Sequence, residues 1–204
     1  MNLHQTLLRT ALGIALLLGA SQASASVMLS LLPSQQNAGP GQTVNLDLTI
    51  SGLGNHDKPS LGAFDFDFNF DSSKLAFTGY TLSGFLGNIG LGETMDESLG
   101  ASGNSINLAE LSLLTVPGDL ATLQPSEFTF ATLSFRVDSL SQYEQTWVSF
   151  GRINVLSDEN GAPLDIASTH DAVIGNPVPE PPILMLFGLG LTLLIRNRRR
   201  GLVA

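Results

Sequence analysis

The sequence predicts an all-β protein, an antiparallel β-sandwich with jelly-roll or Ig-like topology, on three observations. Between residues 26 and 176 apolar side chains recur with period two, no segment sustains helical spacing, and Gly, Pro, Asn and Asp gather between the alternating runs. Alternation sends successive side chains to opposite faces, so each run makes a strand with one buried and one wet side.

The chain opens on a different pattern. Residues 1–10 carry Arg9, residues 11–20 are apolar, and Ala23-Ser24-Ala25 supplies small residues for cleavage before Ser26. This is the layout of a secretory signal peptide, with an apolar stretch too short to span a bilayer stably. In residues 43–50, Val44, Leu46, Leu48 and Ile50 take one face and Thr43, Asn45, Asp47 and Thr49 the other. After a turn-rich loop at residues 51–60, Phe64, Phe66, Phe68 and Phe70 alternate with Asp65, Asp67, Asn69 and Asp71. Each phenylalanine is worth about 1.5–3 kcal/mol when fully buried, so this row is the expected centre of the core.

A turn at Asp71-Ser72-Ser73 leads to a strand at residues 74–82. A loop with glycines at 84, 87, 90 and 92 follows, ending in Glu93, Asp96 and Glu97, and reads as flexible. Further strands are expected at residues 105–114, 127–137, 146–156 and 164–174. The strand from Glu127 changes phase, since Phe128 and Phe130 share one parity and Leu133, Phe135 and Val137 the other; a bulge near Ala131 reconciles them. Seven to nine strands result, with Trp147 assigned to the core.

Charge and cysteine content narrow the function. Between residues 26 and 182 only Lys58, Lys74, Arg136 and Arg152 stand against 18 acidic residues, a net charge of −14. Such a surface repels phosphate backbones, which argues against a nucleic-acid partner. Cysteine is absent, so there are no disulfides, thiolate nucleophiles or thiolate metal sites, and stability must come from the core.

The C-terminus supplies an address. Val178-Pro179-Glu180-Pro181 precedes 13 apolar or small residues from Ile183 to Ile195, and Arg196, Arg198, Arg199 and Arg200 follow. As a helix, 13 residues reach about 20 Å, short of a hydrocarbon core about 30 Å thick. The arginines would stay cytoplasmic, placing the body across the membrane. The prolines keep the approach extended and accessible.

Pro-Glu-Pro, a short apolar helix and a terminal arginine cluster together resemble the PEP-CTERM sorting signal of Gram-negative bacteria. The resemblance implies recognition by a membrane-embedded exosortase, removal of the tail, and passage from an inner-membrane-anchored precursor to the cell surface or extracellular matrix. The body resembles cohesin domains through Pro40-Gly41-Gln42-Thr43-Val44, the stretch from Gly62 through Phe70 to Phe77, and Phe130-Ala131-Thr132-Leu133-Ser134-Phe135-Arg136-Val137. That likeness implies a nine-stranded jelly roll, related to cellulose-binding modules, which in cellulosomes holds a dockerin on one sheet face. The dockerin-contacting positions have no residue-by-residue match here. Three segments follow: a signal peptide at 1–25, a cohesin-like domain at 26–175 and a sorting segment at 176–204.

Candidate chemistry is sparse. Asp65, Asp67 and Asp71 have the two-residue spacing of paired carboxylates, but a general acid needs burial or a close like charge, and a solvent-facing row provides neither. With Tyr80 they form a possible ligand face. Asp158, Asn160 and Asp165 offer oxygen ligands for calcium, although the Asn160-Gly161 pair serves a hairpin turn equally well. His56 and His170 read as surface residues. No nucleophile elbow, P-loop or dinucleotide fingerprint occurs, and no catalytic residue is assigned. The expected function is an exported, non-catalytic surface or matrix protein whose sandwich associates with a dockerin-like protein; the alternative is a carbohydrate-binding module contacting exopolysaccharide.

Overall fold

The computed structural model describes residues 26–114 and 119–175. The signal-peptide residues Ala23 and Ala25, the motif Val178 to Pro181 and the arginine cluster lie outside the described residues, whereas Ser26 opens the first strand.

One sheet contains β1 (Ser26–Leu32), β3 (Thr43–Ser51), β5 (Leu75–Leu82), β9 (Glu127–Val137) and β11 (Asp165–His170), in the order β11-β1-β3-β9-β5. The other contains β2 (Gln35–Asn37), β4 (Leu61–Phe70), β6 (Thr94–Asp96), β7 (Gly100–Ser102), β8 (Ser105–Ser112), β10 (Gln145–Asp158) and β12 (Ala172–Gly175). Its order is β2-β12-β10-β4-β8-β6, with β7 also paired to β8. The pairings are antiparallel except β1 with β11 and β2 with β12, which run parallel. Twelve strands among the described residues exceed the expected seven to nine because β2, β6 and β7 have only three residues each, too few to show a period.

The core lies between the sheets, and β4 is its centre as expected. Phe64, Phe66, Phe68 and Phe70 are all buried. Phe64 packs on Phe130 of the facing sheet with ring centroids 4.8 Å apart, Phe66 on the same ring at 6.2 Å, and Phe70 on Phe135 at 5.5 Å. Edge-to-face and tilted pairs of this kind add about 0.5–1.5 kcal/mol each beyond area burial. The bulge in β9 is present: Leu48 pairs with Ala131 and Thr49 with Thr129, so Phe130 is the extra residue. Phe128, Phe130, Leu133, Phe135 and Val137 consequently all face inward.

Two expectations are corrected. The run at 164–174 is two strands in different sheets; the chain crosses at Asp171, whose Oδ1 accepts a hydrogen bond from the Phe150 amide at 2.9 Å. The glycine-rich loop is a built turn: Asn88 Oδ1 accepts from the Gly90 amide at 2.8 Å, a 3₁₀ turn runs over Ile89–Leu91, and Gly92 closes it with φ 71°. A Cβ on Gly87, at φ 129°, would stand 2.8 Å from the Glu93 carbonyl oxygen, so glycine is required there.

A short helix, α1 (Asp119–Leu123), delivers Gln124 into the interior, where the side chain is fully buried. Its Oε1 accepts from the Leu61 amide at 2.6 Å, and its Nε2 donates to the Leu61 and Phe85 carbonyls at 2.8 and 2.9 Å. This one amide satisfies the backbone where β4 begins. Gln124→Leu keeps the volume but strands those groups, each costing about 1–3 kcal/mol. Chemical denaturation is expected to show a loss of about 3 kcal/mol, and an unchanged midpoint would contradict that role.

Candidate functional site

The outer face of the sheet centred on β4 carries the aspartates. Asp65 and Asp67 are half-buried, and the Nδ2 of Asn107 on β8 donates to both, at 2.7 Å to Asp65 Oδ1 and 2.9 Å to Asp67 Oδ1. Asn154 Nδ2 on β10 donates to Asp65 Oδ1 at 3.2 Å. The pair is therefore bridged by one amide, an arrangement that orders a polar surface rather than poising a proton donor and acceptor. Asp71 ends the row differently. Its Oδ1 accepts from the Ser73 hydroxyl at 2.6 Å and amide at 3.0 Å, and these bonds, with Lys74 nearby, hold its carboxyl below the usual range.

Trp147 joins this face and is not in the core. It is 55% exposed because Thr146 and Val148 take the inward parity of β10, Val148 lying opposite Phe70. A shallow, open groove of about 370 Å³ runs beside it, lined by Asn69, Phe70, Asp71, Asn104 and Ser149. Tyr80 is not part of this surface, so the expected four-residue ligand face does not assemble. It stands on β5, in the other sheet.

Tyr80 instead borders a slot of about 810 Å³ between the sheets, where β5 at the edge of one faces β6 and β8 at the edge of the other. Its hydroxyl donates to Asp96 Oδ2 at 2.8 Å. Burial alone would raise Asp96, but the bonds from Ser98 and Tyr80 outweigh it and hold this carboxyl low. Directly across the β6–β8 ladder from Asp96 is Glu110, only 1% exposed. The Thr94 hydroxyl lies 3.0 Å from Glu110 Oε1 and 2.9 Å from the Leu111 carbonyl, while Glu110 Oε2 has no hydrogen-bond partner. A hydroxyl has one proton to give. With Glu110 ionised, two acceptors compete for it; with Glu110 protonated, the acid donates to Thr94 and Thr94 to Leu111. Burial pushes the Glu110 carboxyl up to about 7, Thr94 draws it down, and the facing Asp96 charge adds to the rise. The sequence signal for Glu110 is its parity, because it continues the inward series Ile106, Leu108.

At the turn after β10, Asp158 Oδ1 accepts from the Asn160 and Ala162 amides, both at 2.8 Å, and Gly161 adopts φ 78°. That carboxylate is thus engaged by its own turn, and Asp165 begins β11 beyond it. Among the described residues, no three His, Asp or Glu side chains group so as to hold a metal. His56 Nδ1 lies 2.9 Å from the Thr122 carbonyl and His170 Nε2 lies 3.2 Å from the Ser168 hydroxyl, in separate places. No helix among the described residues is long and apolar enough to cross a membrane. The apolar run at 183–195 lies outside them.

Glu110 makes stability depend on pH in a defined window. Burial pushes its carboxyl from the ordinary 4.5 of a glutamate up to about 7 in the folded chain, so the folded state binds the proton more tightly. Its contribution is therefore intact below about pH 4.5 and is lost as pH rises to about 7, a loss on the order of 3 kcal/mol. The carboxyls held low, Asp71, Asp96, Glu144 and Glu159, act in the opposite sense and only at more acid pH. Thermal melting of Glu110→Gln is expected to match wild type near pH 5 and exceed it at pH 8. Parallel pH profiles for the two proteins would contradict this.

The model of the PEP-CTERM protein-sorting motif matches residues 177–200. Among solved structures, the sixth cohesin of scaffoldin B from Acetivibrio cellulolyticus, in complex with a Cel5 dockerin, superposes with a TM-score of 0.59 at 19% identity, covering 74% of this chain and 99% of that one. The cohesin of a type I cohesin–dockerin complex from Clostridium thermocellum gives 0.59 at 11% identity, covering 75% and 99%. The seventh ScaB type I cohesin from Pseudobacteroides cellulosolvens gives 0.59 at 12% identity, covering 76% and 95%. No curated protein matches the sequence. The chain thus joins a β-sandwich of the cohesin fold to a PEP-CTERM protein-sorting motif, the mark of an exported precursor that transits a membrane.

Proposed function

We propose that the chain is an exported, non-catalytic surface or matrix protein, processed by an exosortase at its PEP-CTERM tail, whose sandwich binds a protein partner on the outer face of the β4 sheet. The observation that carries this reading is the coupling of a sorting motif to a body of the cohesin fold, a fold seen in complex with dockerins. The outer face supports it chemically. Asn107 and Asn154 hold Asp65 and Asp67 in a hydrogen-bonded network, and Trp147 offers an amphipathic ring at its margin.

A second reading rests on one observation of its own. An exposed indole beside Asn69, Asp71 and Asn104 combines a stacking platform with hydrogen-bonding groups, the chemistry by which sugars are bound. On that reading the groove grips exopolysaccharide, and the chain remains non-catalytic.

Two experiments test these proposals. Changing Glu180 to Ala, or deleting the host's exosortase, is expected to leave an uncleaved, membrane-retained precursor; unchanged processing and location would refute the sorting step. Capture of a defined protein by the exported chain, weakened tenfold or more by Trp147→Ala, is expected on the first reading. Retention on a glycan array with the same dependence on Trp147, and no protein captured, would establish the second instead.

A further inference from the structure

The slot between the sheets is a second recessed surface, separate from the outer face. Its walls are partly apolar, formed by the Tyr80 ring, Leu82, Ile89 and Leu123, and its polar end carries Glu93, Asp96 and Glu110. Among the described residues, no lysine, arginine or histidine lines it. Glu93 Oε2 accepts from the Asn88 amide at 2.9 Å, and both oxygens of Asp96 are engaged, by Tyr80 and the Ser98 amide at 2.8 and 3.0 Å. Glu110 differs: it lines the slot yet is buried, and its Oε2 has no hydrogen-bond partner. Buried carboxylates ordinarily have their lone pairs met, so an orphan oxygen calls for an explanation.

We propose that this slot binds a protonated aliphatic amine of the lysine side-chain class, its methylene stem along Tyr80 and Leu82 and its ammonium on Glu110 Oε2. A cation suits the site better than a neutral donor. Three carboxylates line the slot with no cationic side chain among the described lining residues, and two of them, Asp96 and Glu110, face each other directly across a ladder, where like charges destabilise. An ammonium relieves that repulsion and supplies the missing hydrogen bond together. Oε2 is closed off from solvent, so the ammonium reaches it as the Glu110 side chain shifts toward the slot that it lines. An amine stem of four methylenes also suits a slot lined by both apolar and acidic side chains. A divalent ion is a poorer occupant, because no three carboxylates among the described residues come together as a metal cage.

The groups that face an incoming amine are Tyr80 from β5, Glu93 from the turn, Asp96 from β6 and Glu110 from β8. All are acidic or phenolic, and Glu110 is the one held near neutrality. Amine binding therefore favours its ionised form and strengthens from pH 6 to pH 8.

The probe is Nα-acetyl-lysine-methylamide, titrated into the purified chain by NMR, with the norleucine analogue as a neutral match of similar shape. Expected is saturable binding in about the millimolar range that moves amides of Tyr80, Thr94 and Glu110, with none from norleucine. Glu110→Gln is expected to weaken binding at least tenfold. If that variant fails to fold, Asp96→Asn is the second test and should weaken binding several-fold. Equal binding of norleucine, unchanged binding in either folded variant, or no perturbation at these amides would each overturn the proposal. Perturbation of the same amides by cello-oligosaccharides but not by the amine would do so as well, assigning the slot to a neutral glycan.

Discussion

The packing of the β4 phenylalanines against β9 is the constraint from which the rest of the structure follows. Phe64 and Phe66 meet Phe130, and Phe70 meets Phe135, so one strand of each sheet is locked to the other through five rings. With no disulfide available, this aromatic seam stands where a secreted domain of this size could have used cross-links. The bulge in β9 is part of the same solution. Without the extra residue, Phe128 and Phe130 would face solvent whenever Leu133, Phe135 and Val137 face the core.

Because the phenylalanines occupy the inward positions of β4 from 64 to 70, the residues between them are confined to the outer face. Asp65, Asp67 and Asn69 are therefore displayed together, and the asparagines of β8 and β10 knit the two aspartates into a network. Core and candidate interface are two sides of the same ten residues. The seam also determines where the sandwich stays open. Toward the edges made by β5, β6 and β8 the rings give way to Tyr80, Leu82 and Glu110, and an inter-sheet slot results. There an acid takes a position that a leucine would fill elsewhere in the sandwich.

Much of this was legible in the alternation of the sequence, and the remainder fails for identifiable reasons. Period two identifies which residues of a strand share a face, hence the phenylalanine row and the bulge. It does not say which sheet a strand joins. Grouping Tyr80 with the aspartates fails for that reason, and the run at 164–174 reads as one strand because no proline or glycine stands beside Asp171 to mark the crossing. Trp147 shows a different failure: the bulk of its ring outweighed its parity, although Val148 and Phe150 already claimed the inward side. Glu110 was legible and passed over, since a charged residue on an inward parity is itself the signal. The three-residue strands carry no period at all, and their presence depends on the neighbours they pair with.

The measurement that tests this most directly is native-state hydrogen exchange. If the β4–β9 seam holds the two sheets together, the amides of residues 64–70 and 128–135 exchange last and as one unit, with a free energy equal to that of global unfolding. Exchange of the two strands in separate steps, or ahead of the peripheral strands β2 and β6, would contradict it.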